Sequence, residues 1–219
     1  MSVKKMFQSD NLFNNVMTKI FDLMLLSVLW LLCSIPVITI GASTAALYDT
    51  TMKMAEGRAE GIWKGFFRAF RGNFRQSIPI TLAFLLLIGI LTADFHILSS
   101  SKRNEASLLY GGCITILVIG CAVFSYAFPL LAKFENTFQN TMINAAKIAV
   151  THLVQTAVIL IVNFLPIVWF LVSPETFSLV FWLWIIVGTG IAAYVNSILL
   201  VKVFGEFIPQ EEDIKENEQ

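Results

Sequence analysis

The sequence predicts an all-α fold: a polytopic helical membrane bundle of about six membrane segments with two cytoplasmic amphipathic helices. Three observations carry this. First, 57% of the 219 residues are hydrophobic and only 14% are charged, with a mean hydropathy of +0.75. Soluble domains run to roughly 45–50% apolar and about 25% charged. Second, the apolar residues are gathered in long blocks instead of alternating with polar ones. A helix needs about 20 such residues to cross some 30 Å of hydrocarbon. Third, the basic residues fall between the blocks and do so unevenly, which is how orientation is written into a membrane protein. The formal net charge is zero, so no nucleic-acid partner is implied.

Taken in order, the opening stretch MSVKKMFQSDNLFNN is too polar and too long ahead of its first apolar run to read as a signal peptide. That run, residues 20–40, is therefore expected to be retained. Pro36 interrupts it. Residues 36–54 are less apolar but hold Gly41, Ala42, Ser43, Thr44, Ala45 and Ala46, the small side chains that let helices approach closely in lipid. Either a single span ends near Ile40, giving five spans in all, or the chain turns at Pro36 and returns as a second, protein-buried span that contains Asp49. Clear apolar blocks follow at 77–98, 107–131, 151–172 and 177–201. Residues 1–204 thus read as one transmembrane helical domain. Residues 205–219 carry six acidic side chains against Lys215 and are expected to form a disordered cytoplasmic tail.

The positive-inside rule separates the two readings. Five spans leave ten basic residues inside and five outside. Six spans, with both termini inside, leave thirteen inside and only Lys102 and Arg103 outside. The six-segment arrangement is preferred. It places residues 53–75 and 132–150 on the cytoplasmic side of the membrane.

Each of these two links reads as an amphipathic helix. In 61–76, GIWKGFFRAFRGNFRQ, the residues Trp63, Phe66, Phe67, Phe70 and Phe74 recur at helical spacing, with Lys64, Arg68, Arg71 and Arg75 offset beside them. An aromatic face with a basic flank suits the headgroup plane of an anionic leaflet. Aromatic and Arg residues also suit a docking surface for a partner. In 133–147, Phe134, Phe138, Met142 and Ala145 fall on one side and Glu135 on another. This second helix lacks the basic richness of the first.

Ionisable groups inside spans are functional candidates because burying charge in lipid is costly. Asp94 and His96, near the outer end of the third span, read as interfacial residues, with a proton-responsive pair as the alternative. They stand two positions apart and so do not share a helix face. Asn163 and Asn196 are midspan amides, expected to bond between helices or to line a polar cavity. Cys33, Cys113 and Cys121 lie in apolar blocks and read as small hydrophobes. The sequence holds no zinc-protease, P-loop, nucleophile-elbow or dinucleotide motif. No catalytic, cofactor-binding or metal residue is assigned, and no enzyme is expected.

The run LLSVLWLLCSIPVITIGASTAALYDTTMKM, the following GIWKGFFRAFRGNFRQ and the later YAFPLLAKFENTFQNTMINAAKIAVTHL resemble the YesL-like family of Gram-positive bacterial membrane proteins. The resemblance reaches to about Pro209. Its most specific parts are Leu29 with Trp30, Ile35 with Pro36, Thr39 to Gly41, Ala45 to Tyr48, and FPLLAKFE at 128–135. Members are of unknown function and are often encoded beside carbohydrate ABC importers. The resemblance therefore implies a non-catalytic accessory membrane component of a carbohydrate import system. Its partners would be the lipid bilayer and permease subunits, the ATPase or a solute-binding protein. The alternatives are an independent small-solute transporter or channel acting as a homo-oligomer, or a membrane-bound regulator of sugar uptake.

Overall fold

A computed structural model describes residues 3–59, 61–99, 106–134 and 136–207, and every element among them is helical. Helix α1 (Val3–Cys33) stops where Ser34, Ile35 and Pro36 follow, because proline has no N–H to give and disfavours helix before it. A single 3₁₀ turn (Val37–Thr39) reverses the chain. Thr39 Oγ1 shares its one proton between the carbonyls of Cys33 and Pro36 (2.5 and 2.7 Å), and Thr39 N–H also bonds Pro36 C=O (2.9 Å). Helix α2 (Ile40–Ala55) then runs back along α1, and Trp30 Nε1 donates to Thr44 Oγ1 across the hairpin (3.2 Å). The turn foreseen at Pro36 is therefore present.

Helix α2 is the centre of the molecule. Twelve of its sixteen residues are buried, and it packs on α1, on α3 (Ile62–Ser99), on α4 (Ala106–Lys133) and on α8 (Thr189–Gly205). Small residues make this possible. A Cβ at Gly41 would lie 2.0 Å from Thr81 Oγ1 and 2.8 Å from the Phe128 ring. Backbones this close give α2 the dense packing that holds helices together in lipid, where apolar burial itself gains little. The helix ends at Gly57, whose φ of +69° a side chain rarely adopts. Arg58 N–H bonds Lys53 C=O (2.8 Å) and Gly57 N–H bonds Met54 C=O (3.2 Å), a Schellman closure.

Five helical stretches are long and apolar enough to cross a membrane: Asn14–Cys33, Ile62–Leu98, Leu109–Lys133, Leu153–Val172 and Pro174–Gly205. With sixteen residues, α2 covers ~24 Å at ~1.5 Å per residue, short of the ~30 Å core. The bundle has five full-length candidates and a sixth, shorter segment walled in by protein. Proline is carried inside α3, α4 and α6 (Leu153–Val172) as Pro79, Pro129 and Pro166.

Two expectations are revised. The segment 61–76 is not a separate helix lying flat. It forms the first turns of α3, which runs unbroken for 38 residues, ~57 Å. Pro79 removes one rung, the bond to the carbonyl of Arg75, yet the helix runs on through it. The second link is helical only from Phe138 to Thr151 (α5), capped by Thr137 Oγ1 accepting from Asn140 N–H (3.4 Å). Its buried face is Thr141, Ala145, Ile148 and Ala149; Phe138 points outward, and Phe134 precedes the helix. The last block holds a π-helical turn, Trp184–Gly188, between α7 (Pro174–Leu183) and α8. Just beyond it a Cβ at Gly190 would meet the backbone of α1 at 2.3 Å from Leu23 O, and Gly190 N–H donates to Ser27 Oγ (2.8 Å). Glu135 and the acidic tail beyond residue 207 lie outside the described residues.

Candidate functional site

One end of the bundle gathers the exit of α2, the start of α3, the exit of α4, helix α5, the start of α6 and the exit of α8. Glu56, just after α2, bridges Lys133 at the end of α4 (2.6 Å) and also pairs with Arg58. Burial pushes the Glu56 carboxyl up, but Lys133 and Arg58 more than offset that and hold it below its ordinary 4.5. Phe134 packs edge-on against Phe204 (5.8 Å), and His152 lies 3.8 Å from Glu206. Asp49 is buried nearly two turns inside this end and pairs with Lys53 (2.6 Å).

From this end α3 projects its amphipathic turns. The five aromatic residues do not share one face, as the spacing suggested. Phe66 is fully buried with Ile62, and Phe70 and Phe74 are half-buried. Trp63 and Phe67 remain exposed, at 57% and 39%, with rings 5.2 Å apart. The bundle takes one edge of the aromatic stripe and leaves the other beside the cations. Phe67, Phe70, Phe74, Arg68, Arg71 and Arg75 line a groove of about 560 Å³ on that outer side. A groove of rings and guanidinium groups can hold an anionic or aromatic surface through charge and stacking.

Asp94 is half-buried and His96 exposed near the end of α3, two positions apart. The other two polar candidates are brought together. Asn196, fully buried on α8, donates from Nδ2 to Asn163 Oδ1 on α6 (2.9 Å) and to Tyr48 Oη on α2 (3.3 Å). Asn163 in turn donates to Ser125 Oγ on α4 (3.3 Å). Four helices thus meet in one polar seam near the middle of α6. Sequence reading named the two amides but missed Tyr48, Thr44 and Ser125. Their signal was a hydroxyl set in an apolar block, which is common enough in packing to pass unnoticed.

Among the described residues, no group of His, Cys, Asp and Glu could hold a metal ion. The chain is an integral membrane protein of the polytopic α-helical class. Residues 23–95, from mid-α1 through the Pro36 turn and α2 to the end of α3, match the family described as "Protein of unknown function, DUF624". YesL-like proteins belong to that family, so the resemblance read from the sequence is supported over this stretch. No curated protein and no solved structure matches the chain.

Proposed function

We propose that the protein is a non-catalytic accessory membrane component of a bacterial carbohydrate ABC importer, docking its partner through the outer side of α3. The observation that carries the docking site is the exposed pairing of Trp63 and Phe67 beside Arg71 and Arg75 on a helix too long to end at the hydrocarbon boundary. A rigid helix presenting desolvatable rings and forked cations has the composition of a binding hot spot. The link to carbohydrate import comes from the family resemblance. In this reading the end that carries Glu56, Lys133 and α5 faces the cytoplasm, together with both termini.

Affinity purification of the tagged protein from native membranes, with mass spectrometry, tests it. Recovery of permease subunits, lost on Trp63→Ser with Phe67→Ser while insertion is unchanged, is the expected result. Both side chains are exposed, so the double substitution leaves the core untouched. Recovery of the chain alone as a homo-oligomer favours the transporter reading and overturns this one.

A further inference from the structure

The polar seam is flanked by two cavities, and its surroundings are those of a binding site more than of a packing contact. One cavity, about 270 Å³, lies toward α4 and is walled by Phe84, Phe124, Phe128 and Phe164, with Ser125 and Cys121 at its edge. The other, about 310 Å³, lies toward α8 and is walled by Trp30 and Trp184, with Thr189. Thr44, Tyr48 and Asn163 line both. An amide pair that only ties helices together is enclosed by them, whereas Asn163 is exposed and faces open space on either side.

The seam also keeps unused hydrogen-bonding capacity. Thr44 Oγ1 accepts from Trp30, and Tyr48 Oη accepts from Asn196; each hydroxyl has its own proton to donate. Asn163 spends one amide proton on Ser125 and retains the other. Polar groups left unmatched in an apolar interior are costly, so such a cluster beside a cavity favours a ligand that completes it. No Asp, Glu, Lys, Arg or His lines either cavity. A charged ligand would be stranded there, while a neutral one suits aromatic walls and amide and hydroxyl partners alike.

We propose that the two cavities form one binding site for a small uncharged solute carrying several hydroxyl groups, held by Thr44, Tyr48, Ser125 and Asn163. The site sits at mid-depth in α6, away from lipid headgroups, so its occupant is a free solute. It stands apart from the docking role, since an accessory subunit and an autonomous transporter can each carry it.

Cys121 is the reporter. With Cys33→Ala and Cys113→Ala in the full chain, reconstituted in liposomes, its modification by neutral hydroxyethyl methanethiosulfonate is timed with and without xylitol. Xylitol at about ten times its dissociation constant is expected to slow labelling about tenfold by occupancy. Asn163→Ala is expected to leave labelling intact and abolish protection. Ser125→Ala, expected to weaken protection, serves if the first variant does not fold. Cys121 reacting only with a lipid-soluble maleimide, or labelling indifferent to xylitol, or protection undiminished in folded Asn163→Ala or Ser125→Ala, overturns the site.

Discussion

At the residue scale, close approach and charge decide most of what a substitution does. Gly41 has no room for a side chain: Thr81 and Phe128 already occupy the space a Cβ would take. Gly41→Leu should cost about 1–3 kcal/mol of stability by overpacking, read as a lowered melting temperature in detergent. An unchanged melting point would mean that α2 and α3 are not packed as described. Glu56 makes a second case. Its folded-state carboxyl titrates below the ordinary 4.5, so its ion pairs with Lys133 and Arg58 contribute stability that is fully present above that value. That contribution fades as pH falls through the lower, folded-state value. Glu56→Gln should therefore destabilise the protein at neutral pH and flatten the acid side of its stability profile. A profile parallel to that of the unsubstituted protein would assign the acid sensitivity to another group.

At the element scale, α3 is the segment where periodicity alone misled. Aromatic spacing placed Trp63, Phe66, Phe67, Phe70 and Phe74 on a common stripe, but a stripe this wide is divided by whatever packs against it. Ile62 and Phe66 face the bundle, which turns Trp63 and Phe67 outward. The consequence is measurable. Phe66→Ser should cost about 3–5 kcal/mol, as large-to-small changes in cores do, while Phe67→Ser should leave the melting temperature within a degree or two of the parent, as exposed sites do. Similar losses at both positions would mean that the stripe is buried whole. The α2 terminus is set locally: Gly57 takes the left-handed φ, and it and Arg58 supply the Schellman bonds that close the helix.

At the scale of the whole molecule, the path of α2 sets the number of crossings. The hairpin at Pro36 and the bonds joining Glu56 to Lys133 put Ile35 and Arg58 at opposite ends of the bundle. In a chain without Cys33, Cys113 and Cys121, single cysteines at Arg58 and Glu206 should be labelled from one side of the membrane, and cysteines at Ile35 and Glu175 from the other. Labelling of the Ile35 and Arg58 positions from the same side would make α2 a re-entrant segment and leave five spans. A segment of ~24 Å enclosed by longer helices need not itself match the ~30 Å layer.

By itself the sequence determined the class of protein, the apolar blocks, the turn at Pro36 and the small residues of α2. These are properties of local composition and periodicity, and the bilayer enforces them because every backbone polar group in lipid must be bonded within a helix. Tertiary structure alone decided that 61–76 continues into α3, that α5 buries Ala145 and Ile148 instead of Phe138, and that Asn163 and Asn196 meet Tyr48 between two cavities. Such facts depend on which helices become neighbours. That choice is made by contacts such as Gly41 with Thr81 and Gly190 with Ser27, between residues far apart in the chain, and no local pattern encodes the pairing.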